Sequence, residues 1–174
     1  MLNGKIRRQF VFASLAFTLA AAGCDDTLQT LQFQKDPARS RDWVLTADGV
    51  TVLDLDSRRK VAQIPLPGWI WAGAPRGCTP ALALGPKGEV LVSSDVLPVP
   101  WRIDPDTLAV SKHDVRLDDD SGKDIGFSGL AYSAQRSAYI AVACGQGSVW
   151  RVDLSLEKAA QVSHWPEGEL AWTK

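Results

Sequence analysis

Three stretches of this chain close on one four-residue pattern: large apolar, charged, aliphatic, aspartate. They are Leu53-Asp54-Leu55-Asp56, Trp101-Arg102-Ile103-Asp104 and Trp150-Arg151-Val152-Asp153. The aspartates Asp56, Asp104 and Asp153 stand 48 and then 49 residues apart. A second likeness follows the first and third copies, Ala62-Gln63-Ile64 and Ala160-Gln161-Val162. A repeat of this length constrains the fold strongly. Each copy must be one small structural unit that buries its apolar faces against its neighbours. The closing Asp fits a turn, where its carboxylate accepts backbone N–H groups.

Inside each copy, short apolar runs alternate with turn residues. Trp43-Val44-Leu45-Thr46 leads through Asp48-Gly49 into Val50-Thr51-Val52-Leu53. Ala81-Leu82-Ala83-Leu84 leads through Gly85-Pro86-Lys87-Gly88 into Glu89-Val90-Leu91-Val92. Leu130-Ala131-Tyr132 leads through residues 133–137 into Ala138-Tyr139-Ile140-Ala141-Val142-Ala143. These are hairpin signals. No amphipathic stretch long enough for a crossover helix follows residue 42, so the strands pair antiparallel. Several runs are apolar at consecutive positions, which calls for cover on both sheet faces. The expected fold is all-β: about three four-stranded antiparallel blades of a partial β-propeller, after an N-terminal signal helix.

Composition removes several classes. With 174 residues, 45% hydrophobic, and 19 basic residues against 20 acidic, the chain is neither disordered nor a coiled coil. It also lacks the basic excess of a nucleic-acid binder.

The N-terminus carries an address. Lys5, Arg7 and Arg8 precede an apolar run over residues 10–22. Thirteen helical residues span about 20 Å, short of a hydrocarbon core of ~30 Å, so the run reads as a signal-peptide core. It ends in Ala21-Ala22-Gly23-Cys24, which resembles the lipobox of bacterial lipoproteins. The resemblance implies cleavage before Cys24 and lipid attachment there, palmitate included. Ala21 departs from the pattern, which more often has Leu at that position. The expected division is a signal peptide at 1–23, a tether at 24–41 and a repeat domain at 42–174. The expected location is the cell envelope, anchored by lipid and facing the periplasm; Asp25-Asp26 leaves the choice of membrane open.

The stretch from Leu130 through Val149-Trp150-Arg151-Val152-Asp153 resembles a blade of the YVTN/NHL-type β-propellers, and Gly85-Pro86-Lys87-Gly88 occupies the same turn in the second copy. The Tyr-Val-Thr-Asn signature itself is absent. The first copy begins at what would be its second strand, with Trp43, and Glu169-Leu170-Ala171-Trp172 reads as one more inner strand. About three blades do not close a ring of four to eight. Three resolutions follow: several copies complete a ring, a protein partner covers the open faces, or the chain is a degenerate or shortened propeller. The resemblance also implies an enzyme class, since some propellers are lactonases or quinone dehydrogenases. The primary reading is a membrane-anchored binding or assembly module with no cofactor and no nucleic-acid partner.

Few residues carry chemistry. Export to an oxidising compartment makes Cys78 and Cys144 a candidate disulfide, with two separate thiols as the alternative. Cys78 precedes a first strand and Cys144 ends a second strand in the adjacent blade, which places them within reach. The order Cys78, Trp101, Cys144 also prompts an immunoglobulin reading, but Val142 stands where that fold expects Tyr. Residues 118–124, the one acidic cluster, do not hold the frame of a calcium loop. His113 and His164 are isolated, and no metal set or catalytic motif is present. Trp69 and Trp71, in the Gly/Pro-rich connector between the first two copies, are candidates for an interface, or else pack between blades.

Overall fold

The computed structural model describes residues 29–73, 78–118 and 125–164. Among these residues thirteen strands form three sheets. The first runs in the order β1 (Thr30–Asp36), β2 (Arg41–Thr46), β3 (Gly49–Asp54), β4 (Lys60–Ile64). The second is β5 (Leu82–Leu84), β6 (Val90–Val92), β7 (Trp101–Ile103), β8 (Val110–Lys112). The third holds β10 (Gly129–Ser133), β11 (Ala138–Ala143), β12 (Ser148–Val152) and β13 (Lys158–His164), with β9 (Arg116–Leu117) at its outer edge. Among the described residues the only helical turns are 3-10, at Pro37–Arg39 and Cys144–Gln146. None is long and apolar enough to cross a membrane.

The turn chemistry sets each hairpin. At Asp48-Gly49, the Thr46 hydroxyl donates to the Gly49 carbonyl at 3.1 Å and accepts from the Asp48 N–H at 3.3 Å. Gly49 sits at φ +117°, and a Cβ there would lie 2.4 Å from the Ile64 carbonyl oxygen, so no larger residue fits.

The sheets stack face to face, with β5 lying between β1 and β10. Consecutive apolar residues fill both gaps. Val90 and Val92 face the first sheet and join a cluster with Trp43, Leu45, Val52 and Trp101. Leu91, between them in sequence, points the other way and packs with Phe127, Tyr139, Trp150 and Leu156. A strand alternates its side chains between faces, so three buried residues in a row mean a sheet covered on both sides. This is the blade arrangement expected from the sequence.

Two expectations need correction. The tether at 24–41 contains β1, which pairs antiparallel with β2 from Thr30↔Thr46 to Asp36↔Arg41. The first sheet therefore has its inner strand, and the folded unit begins well before residue 42. Leu31 and Phe33 alternate with Gln32 and Gln34, a half-buried pattern that carries too few apolar residues to stand out. Second, the third sheet has five strands, and β9 joins β13 in parallel. The connector out of β8 passes along the outer strand and covers an edge that would otherwise be unpaired. Residues 165–174, including the expected strand at Leu170, lie outside the described residues.

Trp101 is fully buried, and its indole N–H donates to the Pro67 carbonyl at 3.0 Å. Replacing it with Ala empties a large buried volume between the first two sheets and strands that carbonyl. The expected cost is about 3–5 kcal/mol, measured as a loss of unfolding free energy in denaturant. A loss below about 1 kcal/mol would contradict this packing.

Candidate interaction surfaces

Antiparallel order puts alternate connections at opposite ends of the stack. One end carries the long connectors and the β6–β7 and β11–β12 loops. The other carries the short turns between β1 and β2, β5 and β6, β10 and β11, and those that follow β3, β7 and β12.

At the turn end the repeated aspartates share one role, but in a different frame from that expected. The counterpart of Asp104 and Asp153 is Asp54, not Asp56. Each of the three donates its backbone N–H to the carbonyl five residues on: Arg59, Ala109 and Lys158, at 2.9, 2.9 and 3.0 Å. The Asp54 carboxylate accepts the Ser57 N–H and hydroxyl, both at 2.7 Å. The Asp104 carboxylate accepts the Thr107 N–H and hydroxyl at 2.7 and 2.8 Å. Asp153 has Leu156 in place of Ser or Thr, and accepts the Glu157 N–H at 2.9 Å instead. Leu156 is drawn into the apolar cluster, and the positive-φ residue moves with it, from Arg58 and Leu108 to Leu156. The pattern-based frame failed because Leu53-Asp54-Leu55-Asp56 offers two aspartates, and apolar-charged-apolar matching selects the wrong one.

These bonds favour the charged carboxylates. Asp54 is held below its ordinary pKa of 3.8 by the Ser57 hydroxyl first and then its N–H. Asp104 is held below it by the Thr107 N–H first and then its hydroxyl.

The same turns take bonds from the preceding sheet. Arg41 Nη1 donates to the Pro105 carbonyl at 2.5 Å, and Arg39 Nε meets Asp106 Oδ1 at 3.1 Å. Arg102 Nη2 donates to the Leu154 carbonyl. Pro105 and Leu154 each follow the turn aspartate directly, so both junctions use the same acceptor position. Tyr139 adds a further tie, donating to Glu89 Oε1 at 3.0 Å; burial first and the Glu89 charge second push its phenol pKa upward. In the sequence Arg102 stands out only as the charged position of the repeat, and Arg39 and Arg41 carry no pattern.

At the loop end, Cys78 and Cys144 are joined by a disulfide, with Cα atoms 6.1 Å apart. It ties the entry of β5 to the exit of β11, across the second and third sheets. Ser93 and Ser94 reinforce the same seam. The Ser93 hydroxyl donates to the Phe127 carbonyl, and the Phe127 N–H donates to the Ser94 carbonyl at 2.6 Å. Gly126 makes this approach possible, since a Cβ there would fall 1.9 Å from the Asp95 carbonyl carbon.

Trp69 and Trp71 stack at the same end, their rings 6.4 Å apart and 21° from parallel. Trp69 packs on the first apolar cluster and donates its indole N–H to the Ser93 carbonyl at 3.0 Å. The Ser94 hydroxyl donates to the Ile70 carbonyl at 2.8 Å, and the Ala72 N–H to Asp95 Oδ1 at 2.9 Å. Both indoles are half-buried, and Ile70 between them is 48% exposed. The connector is thus pinned to its neighbouring loop and presents an aromatic and aliphatic ridge.

Other sequence candidates are dispersed. His113 bonds Ser111 at 3.0 Å, and its pKa is lowered by burial first and the Arg102 charge second. Asp118 accepts the Gln161 N–H at 3.1 Å; residues 119–124, the His164 side chain and Cys24 lie outside what is described. No three acidic, His or Cys side chains converge as metal ligands among the described residues.

Comparison with known proteins supports the architecture. No family model matches the chain, and no curated protein is similar to it. Solved structures do match. Hydrazine synthase from Kuenenia stuttgartiensis aligns over 93% of this chain and 40% of its own, at 14% identity and a TM-score of 0.58. Virginiamycin B lyase from Staphylococcus aureus aligns over 75% and 40%, at 13% identity and 0.55. Dihydro-heme d1 dehydrogenase NirN aligns over 76% and 28%, at 17% identity and 0.54. The likeness is one of fold, of the β-propeller type. The chain spans 40% or less of the length of these three proteins.

Breaking the 66-residue cross-link by the double change Cys78→Ser, Cys144→Ser lowers unfolding free energy by about 4 kcal/mol in the loop-entropy model. An unchanged midpoint in denaturant would count against it. For Asp104, the depressed pKa means a contribution fully present above 3.8 and lost as pH falls through the folded value. Asp104→Asn is therefore less stable than the parent at neutral pH, and its thermal midpoint declines less on acidification. Parallel pH profiles for the two proteins would refute the role given to this carboxylate.

Proposed function

We propose that this chain is an exported, lipid-anchored lipoprotein whose propeller-type blades serve as a binding or assembly module in the cell envelope. The observation that carries the assembly half is the outer face of the first sheet. Phe33, paired with Val44 across β1 and β2, points away from the apolar cluster and is 61% exposed. Leu53 shares that face, and Val61 on the edge strand is 54% exposed. In the second sheet both faces are covered. Exposed apolar side chains on a blade face, here set among Lys35, Asp42 and Arg58, favour association.

The export half rests on Lys5, Arg7 and Arg8, the apolar run after them, and Ala21-Ala22-Gly23-Cys24. The cross-link between Cys78 and Cys144 suits an oxidising compartment. Two acyl signals hold a protein on a bilayer where one does so only reversibly. The resemblance to YVTN/NHL-type blades fits the same reading, and the Trp69–Trp71 ridge is the surface offered to a partner at the loop end.

Growth with labelled palmitate, followed by isolation of the chain, tests the anchor. The parent carries label and fractionates with membranes, whereas Cys24→Ala is unlabelled and soluble or retains its leader. An unacylated mature N-terminus other than Cys24 would overturn the lipoprotein reading.

A further inference from the structure

The second and third sheets carry the same groove on the same side, in different states. One groove, of about 540 Å³, is lined by Arg102, Asp104, Ala109, Val110 and Ser111, and Leu154 of the next sheet reaches into it. The other, of about 320 Å³, is lined by Arg151, Asp153, Lys158, Ala159 and Ala160. Each residue of the second set lies 49 positions after its counterpart in the first. The first groove has a partner turn, with Arg102 donating to the Leu154 carbonyl. In the second groove Arg151 is exposed, and its guanidinium makes no hydrogen bond or ion pair among the described residues.

A turn of the same kind stands at the same end of the strands, on the first sheet. Leu55 follows Asp54 as Leu154 follows Asp153, whereas the middle turn has Pro105. Asp56 is exposed and stands two residues after Asp54, as Asp106, which takes Arg39, stands after Asp104. The groove presents Arg116, Arg151 and Lys158 against Asp118 and Asp153. The turn presents Asp54 and Asp56 against Arg58 and Arg59. Beside it, the buried Asp42 keeps Oδ1 without a hydrogen-bond partner.

We propose that the Arg151 groove receives the turn after β3 of a second copy of this chain, with Leu55 seated as Leu154 is and its carbonyl accepting from Arg151. This rests on the assembly reading above and names its partner. The contact is head to tail, so two copies related by a twofold axis make it twice and close three sheets plus three into one ring. Six blades fall within the range that propellers adopt.

The test uses two differently tagged full-length chains expressed together, one Leu55→Cys and one Ala160→Cys. A disulfide-linked pair on a non-reducing gel is expected. Leu55→Cys with Ser111→Cys, whose groove is already filled by Leu154, gives none. Arg151→Glu raises the dimer dissociation constant by roughly 30-fold or more, while at concentrations where parent and variant are both monomeric their thermal midpoints agree. A dimer by sedimentation that lacks the Leu55–Ala160 link overturns this interface and leaves assembly through another face. A chain that is monomeric, binds no envelope protein and forms no link overturns both readings. A monomer whose Arg151→Glu variant loses stability shows an occupant from the same chain and also overturns the proposal.

Discussion

The double burial of the middle sheet governs the rest of the structure. Val90, Leu91 and Val92 are all fully buried, and they face alternately toward the first and third sheets. A sheet of this kind cannot fold alone in water, because either face left open would expose a continuous apolar surface. Its neighbours are therefore part of its own stability. At roughly 25 cal/mol per Å² of apolar surface, the large residues Trp43, Trp101 and Trp150 set the scale of that dependence. All three sit in the gaps between sheets, the first two in one cluster and the third in the other.

Face-to-face packing alone leaves rotation and sliding between sheets weakly specified, since apolar contact has little direction. The polar bonds at the turn end supply direction. Arg41 and Arg102 each reach the carbonyl after a turn aspartate of the next sheet, and the aspartate fixes where that carbonyl points by holding its own loop. The carboxylate of Asp104 thus acts twice, closing a turn and presenting an acceptor to a neighbour. This explains why the aspartate recurs where the strands around it vary so much in sequence.

The fold was legible because its dominant signals are local. Asp48-Gly49 and Gly85-Pro86-Lys87-Gly88 mark turns, and consecutive apolar residues mark double-faced strands. The spacing of Asp104 and Asp153 marks the repeat. What escaped was whatever depends on partners distant in sequence. β1 has only Leu31 and Phe33 to announce it, and its identity as a strand comes from pairing with Trp43 and its neighbours. β9 is two residues long and exists as a strand only beside β13. The repeat pattern points to Asp56 rather than Asp54 because the distinction lies in Ser57, whose N–H and hydroxyl both reach the Asp54 carboxylate three residues back. A rule that read Asp-x-x-Ser/Thr after an apolar strand would have found Asp54 and Asp104, and would have missed Asp153, where Leu156 replaces the hydroxyl.

The two ends of the stack carry different burdens, and this bears on where a partner can bind. The turn end is occupied by the bonds that set one sheet against the next, so a change there disturbs two blades at once. At the loop end the cross-link of Cys78 and Cys144, with Ser93 and Ser94, already fixes the seam between the second and third sheets. The connector holding Trp69 and Trp71 is pinned by its own bonds to Ser93, Ser94 and Asp95 and is not required to hold a third sheet in place. Its exposed Ile70 can change without cost to the stack. A connector held rigid by Trp69 and Pro67, with the exposed Ile70 side chain at its crest, is where recognition can diverge while the blades stay the same.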